Sequence, residues 1–217
     1  MKVARYFSDS DLETIRRAVA GAERRTAGEI VPYVVGASDD YAEASWRGAT
    51  LGALLGALLA ALVHELAGLW GGWFAAWVTL PPLAGSVAGF LAALLAPVRR
   101  LLIDDATFDR NVRRRAEQAF LAEEVFRTRD RTGILVFLSL FERRVMVLAD
   151  SGISAAVPQA EWDAVVAGIV AGIRAGRAPA ALVEGIAACG ALLERHGVEI
   201  KPDDRDELSD ALRTASD

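Results

Sequence analysis

Two short stretches repeat one chemistry in front of two apolar segments. Arg25-Thr26-Ala27-Gly28 precedes Glu29-Ile-Val-Pro-Tyr-Val-Val35, and Arg131-Thr132 precedes Gly133-Ile-Leu-Val-Phe-Leu-Ser139. A third apolar segment, Arg144-Val-Met-Val-Leu-Ala149, runs into Asp150-Ser151-Gly152. Taken singly, each is turn chemistry, with a basic residue and a glycine at a helix-to-strand junction. Taken together they suggest a site. If the first two segments are parallel strands and the third is antiparallel, all three turns lie at one end of a sheet. Thr26, Glu29, Thr132, Asp150 and Ser151 then converge as an oxygen-rich cluster. Such ligands suit Ca2+ or Mg2+, with Asp150 as the metal ligand.

Other ionisable residues read more plainly. Ser38-Asp39-Asp40 is a solvated loop at the opposite end of that sheet. Asp104-Asp105 sits where a helix N-terminus needs acceptors. His196, next to Gly197, is a cation at a helix C-terminus. Cys189, the only cysteine, lies on an apolar helical stripe and excludes an intramolecular disulfide. There is no G-x-S-x-G, Walker loop, C-x-x-C or metal-spaced histidine cluster. No nucleophile–base pair is visible. Net charge is −5, which gives no footprint for nucleic acid.

The elements that must position these residues surround one long apolar run, residues 46–100, whose interior holds only His64 and Glu65 as ionisable groups. About 20 helical residues cross the hydrocarbon of a bilayer, so the run holds two crossings and a turn. Gly48, Gly52 and Gly56 recur at four-residue spacing in the first crossing, and Gly85 and Gly89 in the second. Such stripes let backbones approach closely, either within the hairpin or against a second copy. Trp46 fits one interface, Trp70 and Trp73 the other. Gly71-Gly72 allows the turn, and Pro81-Pro82 predicts a kink or a late start for the second helix. His64 and Glu65 fall near the outer end, within reach of headgroups.

Arg47 flanks the run on one side, Arg99 and Arg100 on the other, with Arg110, Arg113, Arg114 and Arg115 soon after. The turn carries no Lys or Arg, and the N-terminus shows no apolar leader. The positive-inside rule therefore places both termini and the soluble domain in the cytoplasm.

Around the hairpin the chain alternates helices and strands. Residues 1–28 hold a lead-in and one helix with overlapping capping boxes, Ser8 with Asp11 and Ser10 with Glu13, and Gly28 as its stop. Pro32 predicts an edge position or bulge for the strand 29–35. A helix follows over 104–129, with Phe108, Val112, Ala116, Ala119, Phe120 and Phe126 on its apolar face. The four-residue link 140–143 predicts an antiparallel pair. Helices over 158–174 and 179–195 open on Pro158 and Pro179 and stop at Gly176 and Gly197. The tail 198–217 is polar, with a short helix expected over 203–212.

Three stretches, FSDSDLETIRRAVAGAERRTAGEIVPYVV, RTGILVFLSLFERRVMVLADSGISAAVP and EWDAVVAGIVAGIRAGRAPAALVEGIAACGALLERHG, together resemble the TPM domain family. The likeness is to its bacterial membrane branch, in which two membrane helices interrupt the domain. It covers residues 5–197. It implies an α/β fold, a three-layer α/β/α sandwich around a small mixed sheet, interrupted by the transmembrane hairpin. The parts are then 1–45 and 101–197 for the domain, 46–100 for the hairpin and 198–217 for the tail. Family members include photosystem-repair proteins of thylakoids and an auxiliary receptor subunit, and weak phosphatase activity and calcium binding are ascribed to some.

The expectation is a protein of the bacterial inner membrane, seated on the lipid bilayer. Its cytoplasmic domain serves as an interaction, regulatory or assembly module for a membrane or cytosolic protein, or for a second copy. The alternative is a weak calcium- or magnesium-dependent phosphatase built on the Asp150 cluster.

Overall fold

The computed structural model describes residues 3–68, 73–198, 200 and 207–215. In chain order the elements are α1 (Asp9–Glu23), β1 (Glu29–Val35), α2 (Ala42–Ala67), α3 (Phe74–Ala92), α4 (Ala96–Leu101), α5 (Asp105–Ala122), β2 (Gly133–Ser139), β3 (Arg144–Ala149), α6 (Ser151–Ser154), α7 (Gln159–Arg174), α8 (Ala178–Arg195) and β4 (Arg213–Thr214). They divide into two compact units, residues 1–38 with 109–217, and residues 39–108.

The first unit is built on a four-stranded mixed sheet in the order β3-β2-β1-β4. β1 and β2 pair in parallel from Glu29↔Gly133 to Val35↔Ser139, and β2 and β3 form the expected antiparallel pair. Alternation along each strand supplies both faces. Ile30, Val34, Ile134, Val136 and Leu138 pack with Ile15 and Val19 of α1, Ile169 of α7 and Leu182 and Ile186 of α8. Val31, Tyr33, Val35, Leu135 and Phe137 pack with Val112, Ala116 and Ala119 of α5. Strands buried on both faces read as unbroken apolar runs. The result is the expected three-layer α/β/α sandwich.

Several local expectations change. Of the two capping boxes on α1, the Ser8–Asp11 one forms, and Glu13 instead pairs with Arg16 and Arg17. α1 ends at Glu23, before Gly28. Gly28 instead lies against the buried Leu193 side chain, which an added Cβ would have to displace. Pro32 is neither at a sheet edge nor in a bulge: β1 lies inside the sheet, and Pro32 pairs in register with Val136. Two residues earlier, the Ile30 N–H donates to Glu23 Oε1 rather than to a strand. Alternation puts the missing Pro32 N–H on that same side, away from β2, where β4 spans only Tyr33 and Val34.

α5 stops at Ala122, short of the expected 129, and a 3-10 turn at Val125–Arg127 follows a left-handed Glu124. The turn is pressed onto the start of β2, where a Cβ on Gly133 would collide with the Val125 carbonyl. The helix expected over 203–212 is not formed by the described residues 207–212, and residues 203–206 lie outside the described segments. β4 follows and pairs in parallel with β1.

The second unit is a helical hairpin. α2 has 26 residues and α3 has 19, or roughly 39 Å and 28 Å of helix, against a hydrocarbon core of about 30 Å. α2 begins at Ala42, earlier than expected, after a left-handed Tyr41 whose ring meets Phe108 edge-on at 5.3 Å. α3 runs through Pro81 and Pro82 and starts at Phe74, so the two prolines do not delay it. Trp70, Gly71 and Gly72 lie outside the described residues. Asp104 accepts the Thr107 N–H at 2.8 Å, and the N–H and hydroxyl of Thr107 hold its carboxyl below the ordinary carboxylate range.

The glycines do their work between the two helices. A Cβ on Gly48 would strike the Gly89 carbonyl, one on Gly52 the Gly85 carbonyl, and one on Gly56 the Pro81 carbonyl. The small-residue stripe is therefore spent inside the hairpin, backbone on backbone. Gly52→Leu should force the pair apart towards the ordinary interaxial spacing of about 8–10 Å. Spin labels on α2 and α3 of the protein in micelles would report it, and an unchanged label distance would refute this packing.

Candidate functional site

The topology brings the N-terminal ends of β1 and β2 and the C-terminal end of β3 together, as parallel and antiparallel pairing require. Glu29 pairs with Gly133, and the Asp150 N–H donates to the Gly133 carbonyl at 2.9 Å. Most of the polar groups there already have a structural task. The Thr26 hydroxyl, buried, accepts the Gly28 N–H at 3.1 Å. The Thr132 carbonyl accepts the Glu29 N–H, and the Thr132 N–H goes to the buried Thr128 hydroxyl at 2.8 Å. Both carboxylate oxygens of Glu29 accept backbone N–H groups of the tail, Oε1 from Glu207 and Oε2 from Leu208, each at 3.2 Å. Asp150 caps α6, with Oδ1 accepting the Ser151 N–H at 2.6 Å. Its Oδ2 is buried without a hydrogen bond and lies 3.5 Å from Arg131 Nε, an ion pair lacking hydrogen-bond alignment. Ser151 is exposed and contributes its backbone.

The other end of the sheet holds a network the sequence did not announce. The Glu142 carboxylate is buried; Oε1 accepts the Ser38 N–H at 2.7 Å, and Oε2 accepts the hydroxyl of fully buried Ser139. The Ser38 hydroxyl donates to Ser139 Oγ at 3.0 Å. A glutamate in the four-residue link between two apolar strands was the only signal for it. It closes the C-terminal ends of β1 and β2 across a long sequence separation. Ser139 is fully buried, where no substrate can meet its hydroxyl, so the network holds backbone rather than presenting an activated nucleophile.

Residues 98–192 match the TPM domain family, from α4 to the last turn of α8. The chain carries a TPM domain. Its α5, β2, β3, α6 and α7 lie within that span, while α1 and β1, from before the hairpin, complete the layer and the sheet. A search of curated proteins returned no match. Among solved structures, the chain is similar to the NMR structure of the BA42 protein from the psychrophilic bacterium Bizionia argentinensis, with a TM-score of 0.61, 18% identity and 99% of each chain covered. At that identity the likeness concerns the fold.

Among the described residues, the polar end of the TPM domain presents no ready set of free oxygens for a calcium or magnesium ion. Such ions take about six or more oxygens. Here both Glu29 oxygens are held by amides, and the free Asp150 oxygen faces a guanidinium. Among the described residues no three His, Cys, Asp or Glu side chains cluster for a metal. Elsewhere, His196 Nε2 lies 2.8 Å from Glu161 Oε1, and Arg195 donates to Glu161 Oε2 at 2.9 Å, tying the end of α8 to the start of α7. Cys189 is fully buried, and burial pushes its thiol up to about 12. It is a core residue without a thiolate at neutral pH.

Three expectations follow. Glu29→Ala leaves two tail amides without acceptors and should cost about 1–3 kcal/mol. Hydrogen exchange would show it as lost protection over residues 207–215; full protection there would contradict the clamp. Asp150→Ala removes a helix cap and should cost about 1 kcal/mol. The melting temperature of the parent protein should not respond to Ca2+ or Mg2+; a rise that the variant abolishes would restore the cation reading.

Proposed function

We propose that this protein is a membrane-seated TPM module whose domain docks another protein, and not a hydrolase. One observation supports the membrane part above others. The inner faces of α2 and α3 are occupied by glycine and proline backbone, while Leu51, Leu54, Leu55, Leu58, Leu62, Leu80, Leu83 and Leu91 are exposed around them. In water such a surface is costly, at roughly 25 cal/mol per Å² of apolar area, whereas hydrocarbon accepts it. Both helices satisfy length and hydropathy criteria for spanning, and almost none of either is buried in the protein. Two helices also offer no transport pathway of their own.

The docking part rests on how the polar residues are used. Thr26, Glu29, Asp150, Glu142 and Ser139 are engaged in turns, caps and ion pairs, and Thr132 through its backbone. The one hydroxyl held by a carboxylate among them, Ser139 on Glu142, is fully buried and out of reach of a substrate, so it does not supply the exposed nucleophile that acyl or phosphoryl transfer needs when no metal is bound. The arginines flanking the hairpin favour a bacterial inner membrane with both termini on the cytoplasmic side.

The protein should sediment with membranes and resist carbonate extraction, while a chain lacking residues 46–100 should not. Orientation can be read with single thiols, since buried Cys189 stays silent. A thiol at Trp73→Cys should react with an impermeant maleimide on intact cells, and one at Gln159→Cys only after lysis. The reverse pattern would invert the topology. Crosslinking in membranes, followed by isolation of the full chain, should yield one stoichiometric partner or a second copy; recovery of neither would end the docking reading.

A further inference from the structure

On the α5 face of the sheet, one group of charged side chains is left incompletely satisfied. Tyr33 of β1 and Arg213 of β4 are register partners, so their side chains project from the same face. Tyr33 stacks on Phe137 on its other side, at 5.8 Å between ring centroids. The Arg213 guanidinium meets Glu123 through Nε at 3.2 Å. Its Nη1 is buried and has no acceptor. A buried cationic donor without a partner is costly and is rare in native structures.

Arg115 and Ala119 of α5, and Glu123 just past its end, follow one another at four-residue spacing; the Glu123 N–H still donates to the Ala119 carbonyl at 2.9 Å, so the three share one side over about 12 Å. Ala119 in the middle is small and buried against the sheet. Arg115 is half-buried, and no hydrogen bond or ion pair to it is found among the described residues. The phenol of Tyr33 feels both ends of this row: desolvation raises its pKa, Arg115 lowers it and Glu123 raises it. The hydroxyl therefore sits within electrostatic range of both, and it too makes no hydrogen bond among the described residues.

We propose that Arg115, the free Nη1 of Arg213 and the Tyr33 hydroxyl form a binding site for a phosphate-bearing anion, floored by Ala119 and bounded by Glu123. Two guanidinium groups and a phenolic O–H are donors that match tetrahedral oxyanion geometry. Glu123 holds the Nε edge of Arg213 and leaves its Nη1 edge for the ligand. Because Arg213 belongs to β4, an anion held here also fixes the two-residue strand that closes the outer side of β1. The phosphate has two possible sources, a free anion or the headgroup of an anionic lipid.

The test uses the full chain in nanodiscs. In neutral phosphatidylcholine discs, inorganic phosphate should raise the melting temperature saturably, beyond a chloride control of equal ionic strength. Arg115→Ala should move the midpoint about tenfold to higher phosphate, as expected for loss of a charge-assisted hydrogen bond. This variant removes no hydrogen bond or ion pair among the described residues, so its fold should persist. Tyr33→Phe should weaken binding by a smaller factor, and Arg213→Ala should abolish it while loosening residues 213–214. If phosphate has no effect but phosphatidylglycerol discs stabilise the parent and not Arg115→Ala, the ligand is a lipid headgroup. Equal responses of the parent and Arg115→Ala to both phosphate and phosphatidylglycerol would overturn the site.

Discussion

The parallel pairing of β1 with β2 is the contact on which the rest of this TPM domain depends. β1 comes before the hairpin and β2 after it, yet they match residue for residue from Glu29↔Gly133 to Val35↔Ser139. Parallel strands need a crossover connection, and here that connection contains the apolar hairpin as well as α5. The entropy of closing so long a connection grows only with the logarithm of its length, so the insertion costs the sheet little. In return, every side chain of β1 is buried, and both helical layers rest on strands contributed by the two sides of the hairpin.

Each end of that pair is closed by a buried carboxylate. Glu29 gathers two tail amides at one end, while Glu142 gathers the Ser38 amide and the Ser139 hydroxyl at the other. A buried charge is tolerated when its lone pairs are filled by well-aligned donors, and backbone amides supply them without side-chain entropy. The same saturation removes both acids from chemistry. Oxygen ligands fully occupied by amides are poor partners for a divalent cation, which must displace those donors. Among the described residues, the carboxylates at the polar end that suggest a metal site in one dimension are used in three as caps and clamps.

What was legible in the sequence was whatever repeats with a period or carries a strong local signal. The apolar runs of β1 and β2, the short link before β3, Pro158 and Pro179 at helix starts, and the glycine stripes of the hairpin all belong to that class. The convergence of Glu29, Thr132 and Asp150 at one end followed from strand directions alone. Their roles did not, because those depend on residues 207–208 and on Arg131, whose positions no periodicity announces. β4 was unread for the same reason: two residues, Arg213 and Thr214, hold no pattern, and their pairing is decided by the open side of β1. Pro32 misled because a missing amide argues for an edge only when both neighbours of a strand are long; here the neighbour on that side spans two residues.

The hairpin shows how a motif can be identified correctly and still have its partner left open. A small-residue stripe states that two backbones approach closely, not which two. With Gly48, Gly52 and Gly56 set against Gly89, Gly85 and Pro81 of the same chain, the approach is intramolecular. Close Cα–H to carbonyl contacts of this kind are weak singly, but they recur at each glycine level along the pair. What remains outward is leucine, which offers lipid or another apolar helix bulk without a directional signal. Specific recognition by this protein must then come from polar geometry outside the hairpin, where unspent donors exist. The Arg115–Arg213–Tyr33 face of the domain is such a place, because its guanidinium and hydroxyl donors are not all used by the fold.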